Sequence, residues 1–277
     1  MHTGRASLRP GITLKINGIW QLSTLSKTPE SSDKKKTAGW GETLKTVVVA
    51  ALIALTVRTF AYEPFNIPSG SMLPTLLVGD YLFVSKSSYG FSRYSLPLSL
   101  PLFKGRIFES VPERGDVAVF RLPTDPRTDY IKRIIGLPGD KIQVKEGLLF
   151  VNGKVTKRRR IKDFVQRDQW GNAVGWAQYE ETLPGGRTHL IIERSDHDQL
   201  DNTPVYEVPE GHYFAMGDNR DNSLDSRVLN HVGYIPAQNL VGRAEVLFFS
   251  TNGKARIWEI WKWPFAIRFS RLFDTVN

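Results

Sequence analysis

Two serines close together in the chain, Ser69 and Ser71, are the first candidates for chemistry. They lie in the segment IPSGSMLPTL at residues 67–76, where two prolines restrict the backbone and Gly70 permits a close approach or a positive φ. The segment is expected to form a rigid turn that presents two hydroxyl groups. It does not match the Gly-x-Ser-x-Gly elbow of the α/β-hydrolases, and a serine-rich turn alone is more often structural than catalytic.

A serine nucleophile needs a base, and Lys132 is the best candidate in this sequence. In the segment DYIKRIIGLPGD at residues 129–140, strand alternation puts Lys132 on one face with Tyr130 and Ile134. Burial among such side chains would lower the pKa of Lys132 and make its amine a usable base. A solvated strand lysine is the competing interpretation. The histidines are poorer candidates, because none has the setting of a triad or the spacing of a metal ligand: His2, His189, His197, His212 and His231.

A third polar cluster, GDNRDNSLDSR at residues 217–227, combines Asp, Asn and Ser side chains with two arginines. Its acidic residues allow a calcium loop, but the two arginines and the lack of a terminal Glu fit an EF-hand badly. A loop that satisfies its own polar groups beside an active site is the better interpretation.

Composition and charge are those of an ordinary folded protein with an unusual N-terminus. The chain has 277 residues, 41% hydrophobic and 23% charged, which excludes collagen-like, coiled-coil and wholly disordered classes. The absence of cysteine excludes disulfides, thiolate nucleophiles and Cys-containing zinc sites. The net charge of +9 is uneven, because residues 1–45 hold eight basic and three acidic residues, whereas residues 63–277 are nearly balanced. We expect residues 1–42 to form a basic, disordered tail.

An apolar segment follows this tail. Residues 46–57 carry no charge, and the segment from 43 to 62 would span about 30 Å as a helix if Lys45 and Arg58 placed their charges at opposite interfaces. We expect a single transmembrane anchor at residues 43–62. A buried helix is disfavoured because no face is polar, and a cleavable signal because the leader is long and an arginine interrupts the apolar run. The positive-inside rule places the tail in the cytoplasm and the rest outside.

Beyond residue 62 the sequence is typical of an antiparallel β domain. Short runs rich in apolar, β-branched and aromatic residues alternate with Gly, Asn and Asp turn signals, and no long amphipathic helix interrupts residues 63–250. Two parts, residues 87–113 and 162–186, look irregular. The basic run KVTKRRRIK at residues 154–162 follows an Asn-Gly turn, and we interpret it as a solvated hairpin flank rather than a nucleic-acid site.

The last part of the chain, residues 256–273, is rich in tryptophan. Trp258, Trp261 and Trp263 alternate there with Lys and Arg, a composition typical of the lipid headgroup layer. A membrane-proximal segment is one interpretation of this pattern, and packing against the β domain is the other.

In this order, the three polar clusters resemble the sequence boxes of bacterial type I signal peptidase, a membrane-bound serine endopeptidase that removes signal peptides. The likeness runs from about residue 63 to residue 249 and includes RGDVAVF at 114–120, VGYIP at 232–236 and NLVGRA at 239–244. Two features depart from the family pattern. Only one anchor precedes the serine box, whereas some members have two. Many members also have an aromatic residue and a shorter link to the following glycine at the place where this chain has VLNH, residues 228–231.

The resemblance implies a mainly β fold of antiparallel sheets, preceded by a single N-terminal transmembrane helix. Ser71 would be the nucleophile and Lys132 the general base, with no metal and no cofactor. The backbone N–H of Ser71 and the hydroxyl of Ser69 would form the oxyanion hole, and Ser223 would orient Lys132 through a hydrogen bond. Four charged residues would support the site: Asp218, Arg220, Asp225 and Arg227.

The resemblance also implies a substrate and a location. Preprotein signal peptides would add as strands to the edges near Pro68 and Tyr130. Family members prefer small residues at the first and third positions before the cut, and shallow apolar pockets lined by Ile67, Met72 and Ile131 would explain this. The chain would be a single-pass protein of the bacterial inner membrane. Its catalytic domain, residues 63–277, would lie on the periplasmic face, in contact with the lipid bilayer and near the secretion machinery, without nucleic acid.

Two other functions compete with this interpretation. A self-cleaving repressor also uses a Ser/Lys pair, but a membrane anchor and the absence of a helix-turn-helix pattern argue against it. A membrane-tethered, non-enzymatic binding module for anionic surfaces would explain the net charge and the tryptophans. It would leave the serine, lysine and Gly-Asp-Asn-Arg clusters without a purpose.

Overall fold

The structure of the protein is a computed structural model that describes these residues: 40–95, 105–167, 172–252, 256 and 258–276. Of the predicted disordered tail, residues 1–39 therefore lie outside the described part. The chain divides into two compact units, Met1–Lys45 and Thr46–Asn277, and every strand among the described residues belongs to the second.

One long helix, α1 (Trp40–Phe60), begins the described chain. No glycine or proline interrupts residues 43–60, and apolar side chains such as Val47 and Leu52 are exposed on it. The helix ends before the predicted boundary, because Tyr62 already pairs in the first strand. Within the described ranges, no helix combines the length and the apolar character that crossing a membrane requires.

A seven-stranded sheet forms the centre of the second unit, and every neighbouring pair in it is antiparallel. The prediction of a mainly β fold with antiparallel sheets is thus confirmed. In spatial order the strands are β1 (Tyr62–Asn66), β2 (Asp80–Ser85), β17 (Leu240–Ser250), β5 (Val117–Arg121), β6 (Asp129–Gly136), β15 (His212–Met216) and β16 (Ile235–Pro236).

Three smaller sheets complete the β structure of the described residues. The first is a short hairpin of β3 (Phe91–Ser92) and β4 (Arg106–Ile107). The second contains β14 (Tyr206–Glu207), β7 (Lys141–Lys145), β8 (Leu148–Val151) and β9 (Lys154–Val155). The third contains β10 (Lys157–Arg160), β12 (Ala173–Thr182), β11 (Phe164–Arg167) and, paired with β12, β13 (Thr188–Glu193).

The third sheet corrects one expectation, because residues 162–186 contain strands rather than irregular structure. Most side chains of β12 are exposed or half-buried, so the segment lacks the apolar alternation that marks a strand in a sequence. Its order comes from pairing with its neighbours, including the directly opposite charges of Arg159 and Glu180. The basic run at 154–162 lies in β9 and β10, in agreement with its interpretation as a hairpin flank.

The core surrounds β5 on both faces. Val117 and Val119 belong to one buried cluster, which also contains Met72, whereas Ala118 and Phe120 belong to another. Because both faces of β5 are buried, its sequence is a continuous apolar run without polar alternation. Packing on both faces fixes the position of the strand. Strand β6 pairs with it in a register that sets Ala118 opposite Lys132, so the core determines where the lysine lies.

The tryptophan-rich segment packs partly against the β domain and leaves two of its tryptophans exposed. It contains the short helix α2 (Trp263–Ala266). Trp263 packs its ring 5.3 Å from that of Phe249, as core packing requires. Trp258 and Trp261 are 64% and 68% exposed, so these two side chains remain open to contact outside the domain.

Candidate active site

Ser71 and Lys132 meet in the second unit as a hydrogen-bonded pair. The turn that follows β1 carries Ser71, and the middle of β6 carries Lys132. The ammonium nitrogen Nζ of Lys132 lies 2.7 Å from Oγ of Ser71 and also donates to the carbonyl of Ile131 at 2.9 Å. Only 3% of Lys132 and 9% of Ser71 are exposed. The pair is therefore largely removed from water.

The environment of Lys132 stabilises its neutral form relative to that of a lysine in water. Burial lowers the pKa of Lys132 from 10.5 to about 8, although the negative charges of Asp225 and Asp218 partly oppose this shift. The competing interpretation of a solvated strand lysine is excluded by this burial. An amine with this pKa can take a proton from a hydroxyl near neutral pH, which an ordinary lysine does rarely.

Ser69 lies beside the pair, with its Oγ 3.5 Å from that of Ser71. Its side chain is exposed to the cleft, whereas that of Ser71 is buried. The two hydroxyls are close enough to contact one reacting group together.

Ser223 is buried close to the pair but does not hydrogen-bond to Lys132, in contrast to the expected orienting contact. Its Oγ has no partner of good hydrogen-bond geometry, although it lies near enough to Asp225 to help lower the pKa of that carboxyl. The contact to the carbonyl of Ile131 takes the place of the expected one.

Of the four charged residues expected to support the site, Asp225 and Arg227 pair with each other. The carboxylate accepts two hydrogen bonds from the guanidinium at 2.9 Å, and both residues are buried. Burial opposes ionisation of Asp225, but Arg227 outweighs this and keeps the pKa of the carboxyl below its ordinary value. Asp225 also accepts the backbone N–H of Gly217 at 3.0 Å, which closes the loop on itself as predicted.

Asp218 and Arg220 instead pair with residues that the sequence interpretation missed. Asp218 accepts two hydrogen bonds of 2.8 Å from Arg133, and Arg220 forms an ion pair with Glu181 of β12. Strand alternation had placed Arg133 on the face of β6 opposite to Lys132, but nothing in the sequence indicated its partner. Glu181 lay in the segment taken as irregular, so no signal pointed to it.

The turn that carries Ser71 is fixed at its far end by Asp80, which is fully buried. Its carboxylate accepts the backbone N–H of Leu77 at 2.8 Å and the hydroxyl of Ser250 at 2.6 Å. The guanidinium of Arg271 pairs with it at 2.6 Å and also donates to the carbonyl of Thr75. The C-terminal segment thus helps to hold the serine turn in place.

The Ser71–Lys132 pair opens into a cleft of about 930 Å³. Four of the five predicted substrate-binding residues line it: Ile67, Pro68, Tyr130 and Ile131. The fifth, Met72, does not line the cleft, because it is fully buried in the core cluster beneath the turn. Further residues that were not singled out also line the cleft, among them Gln199, Leu200, Asp221, Asn222, Leu224 and Val228.

The described histidines do not take part in the pair. His189 is buried near Glu181, and burial together with Arg133 and Arg220 lowers its pKa well below the ordinary value. His231 lies 3.1 Å from the hydroxyl of Tyr130 and so contacts a wall of the cleft. No group of His, Cys, Asp and Glu residues among those described could hold a metal ion.

An antiparallel β domain with a buried serine–lysine pair in an open cleft is the arrangement expected of a serine endopeptidase that uses a lysine as its base. Residues 40–249 match the family model described as signal peptidase, peptidase S26. The chain therefore belongs to this family.

Relatives with 38–42% sequence identity support the assignment. The signal peptidase I of Rickettsia typhi is 42% identical over 243 residues, which cover 81% of this chain and 89% of that protein. The signal peptidase I of Rickettsia rickettsii is 38% identical over 265 residues, covering 89% and 95%. A crystal structure of a signal peptidase I from Enterococcus faecalis covers 48% of this chain and 98% of that one, with 23% identity and a TM-score of 0.28.

Proposed function

We propose that this protein is an endopeptidase that cleaves signal peptides from exported preproteins after small-x-small sites. Ser71 would be the nucleophile and Lys132 the general base. The observation that carries the proposal is the 2.7 Å contact between Nζ of Lys132 and Oγ of Ser71, both of which line a cleft, in a chain of the signal peptidase family.

The reaction follows from this contact. Neutral Lys132 accepts the hydroxyl proton of Ser71 as Oγ attacks the carbonyl carbon of the scissile peptide bond. The negative charge that develops on the carbonyl oxygen is stabilised by the backbone N–H of Ser71 and the hydroxyl of Ser69. Lys132 then gives its proton to the departing amine, which leaves an ester on Ser71. Water, deprotonated by Lys132, hydrolyses this ester and restores the free serine.

The substrate would bind as an added strand beside β6. Strand β15 pairs with β6 only from Arg133 to Gly136, and Tyr130 and Ile131 line the cleft beyond that pairing. An extended peptide there gains main-chain hydrogen bonds, and alternate side chains point toward Ile67 and Ile131. Met72 would limit the depth of the pockets without touching the substrate, because its side chain fills the core under the turn.

Asp218, Arg220, Asp225 and Arg227 are proposed to hold the loop 217–227 against the serine turn. Ser223 is proposed to orient Lys132 when substrate binds. As the neutral base, Lys132 has two N–H donors and one lone pair; the lone pair faces the hydroxyl of Ser71, and one N–H donates to the carbonyl of Ile131. The buried hydroxyl of Ser223 is the acceptor that suits the second N–H.

We propose further that residues 43–62 anchor the chain in the bacterial inner membrane, with residues 1–42 in the cytoplasm and residues 63–277 on the periplasmic face. Supporting this are the 21-residue length of α1, about 31 Å, and the exposed apolar side chains along it. The exposed Trp258 and Trp261 would contact the headgroup layer of the same bilayer, near the secretion machinery.

The test is incubation of the purified full chain, in detergent micelles, with a preprotein that has Ala at the first and third positions before the cut. Cleavage at that site is expected, and a matched preprotein with Trp at the first position should remain intact. Failure to cleave the first preprotein, with retained binding to anionic vesicles, would favour the non-enzymatic binding module instead.

The proposed orientation in the membrane is tested separately, by protease accessibility. Protease added to the outer face of intact cells should degrade residues 63–277 and spare the tail. The opposite pattern would contradict the orientation, provided that lysed cells show the domain to be cleavable.

The rate of cleavage is expected to rise with pH through about 8, because Lys132 accepts a proton only when it is neutral and its pKa is lowered to about 8. Below that pH the active fraction falls about tenfold per pH unit. Asp225→Asn should move this rise to lower pH, since the negative charge of Asp225 favours the ammonium form of Lys132. The measurement is kcat/KM against pH, and a rise centred near 10 would contradict the proposed state of Lys132.

A further inference from the structure

We infer that Asn219 is a positioning residue for the oxyanion hole, because it holds both peptide units that flank Ser71. The inference rests on the proposed function and adds to it a residue that touches neither substrate nor the reacting atoms. It concerns the orientation of one N–H group, that of Ser71.

Asn219 contacts the backbone on both sides of the nucleophile. Its side-chain Nδ2 donates to the carbonyl of Gly70 at 3.0 Å, and its backbone N–H donates to the carbonyl of Ser71 at 3.1 Å. The carbonyl of Gly70 also accepts the N–H of Leu73 at 3.2 Å, within the turn itself. Two independent donors therefore fix the peptide unit that joins Gly70 to Ser71.

That peptide unit is planar and trans, so its C=O and N–H point in opposite directions. Because Asn219 holds the carbonyl of Gly70 on the side of the loop 217–227, the N–H of Ser71 points to the other side. Within the described part of the chain, no backbone carbonyl accepts a hydrogen bond from this N–H. It is thus available to a substrate oxyanion, beside the hydroxyls of Ser71 and Ser69.

Asn219 can act in this way because it is itself held firmly. Only 4% of it is exposed, and its carbonyl accepts the N–H of Asn222 at 3.1 Å. The preceding residue, Asp218, is locked to Arg133 by two hydrogen bonds, and its carbonyl accepts the N–H of Ile192 at 2.9 Å. The side chain therefore reaches the serine turn from a rigid support.

The loop lies so close to the serine turn that there is no room for a side chain at Gly217. A Cβ added at Gly217 would lie 2.5 Å from the carbonyl oxygen of Ser71 and 2.2 Å from Oγ of Ser223. Only glycine allows the loop to approach the nucleophile closely enough for Asn219 to reach Gly70.

The test is Asn219→Ala in the full chain. Loss of one oxyanion donor costs about 10²–10³ in rate, and the N–H of Leu73 still holds the carbonyl of Gly70, so we expect kcat to fall about 10- to 100-fold. KM should change by less than about twofold, because ground-state binding does not use the oxyanion hole. The rise of the pH profile should stay in place, since Lys132 is untouched.

Inhibitor binding gives a second readout. A peptide aldehyde, which forms a tetrahedral adduct with Ser71, should bind more weakly in proportion to the loss of kcat/KM. The same peptide as a C-terminal amide should bind as it does to the unaltered chain.

Asn239→Ala is the matched control. Asn239 is also 4% exposed, and its Nδ2 donates at 3.0 Å to the carbonyl of Arg121, away from the serine turn. The variant Asn239→Ala should lose as much free energy of unfolding as Asn219→Ala does, but its kcat should equal that of the unaltered chain. Equal kcat for Asn219→Ala and the unaltered chain, an equal loss in both variants, or equal weakening of both inhibitors would overturn the inference. If the unaltered chain cleaves no preprotein, the proposed function fails first and the inference falls with it.

Discussion

Replacement of either Ser71 or Lys132 by alanine is expected to reduce kcat for preprotein cleavage by at least about 10⁴-fold. Ser71→Ala removes the atom that forms the ester. Lys132→Ala removes the base, which lies 2.7 Å from that atom and has a pKa lowered to about 8. Since the two groups act as one unit, the double variant should be no slower than either single variant.

Initial rates of cleavage, measured by mass spectrometry of the products, are the readout. Lys132→Met keeps the length of the buried stem without the amine and should be as inactive as Lys132→Ala. Lys141→Ala, which alters an exposed lysine outside the cleft, should retain the full rate. Cleavage by Lys132→Met within tenfold of the unaltered chain would contradict the role of the lysine, provided that far-ultraviolet circular dichroism shows the variant to be folded.

Asp218→Ala is expected to destabilise the folded chain by about 3–5 kcal/mol. It leaves the guanidinium of Arg133, whose side chain is 0% exposed, without its bidentate carboxylate at 2.8 Å. The hydroxyl of Thr75, which donates to Asp218 at 2.5 Å, loses its acceptor as well. Because Thr75 belongs to the serine turn, activity should fall together with stability.

The free energy of unfolding in urea, measured in detergent micelles, tests this. The ion pair between Lys141 and Glu207 is a suitable control, with a similar distance of 2.9 Å but side chains that are 60% and 70% exposed. Glu207→Ala should cost at most about 1 kcal/mol, because solvent screens the pair. If the two variants lose the same free energy of unfolding, burial does not make the pair of Arg133 and Asp218 more stabilising than the exposed pair.

Much of the fold could be predicted from local patterns. Strand β8 and strand β15 occur at the residues where short apolar runs stood between turn signals. The burial of Lys132 also followed locally, since alternation along β6 puts it on a face with Tyr130 and Ile134. Strand β12 escaped prediction, because its side chains are mostly exposed and its order depends on the strands beside it.

The candidate site could be predicted in its residue types but not in all its contacts. Met72 was predicted to line a shallow substrate pocket, as the family resemblance implied, yet its side chain is buried in the core. Asp218 stood beside Arg220 in the sequence, whereas its partner in space is Arg133, 85 residues earlier. Such pairings depend on which strands lie together, and the spacing along the chain does not reveal that.

The sequence by itself determined the chemical groups and the family: a serine turn stiffened by prolines, a lysine on an apolar strand face, and a polar loop of Asp, Asn and Arg. Only the tertiary structure decided how these groups meet. It set Nζ of Lys132 at 2.7 Å from Ser71, left Ser223 without a partner, and brought Asn219 to the carbonyls beside the nucleophile. The physical reason is that burial, hydrogen bonding and charge pairing act over a few ångströms in space, and the packing of β5, β6 and the loop 217–227 fixes those distances.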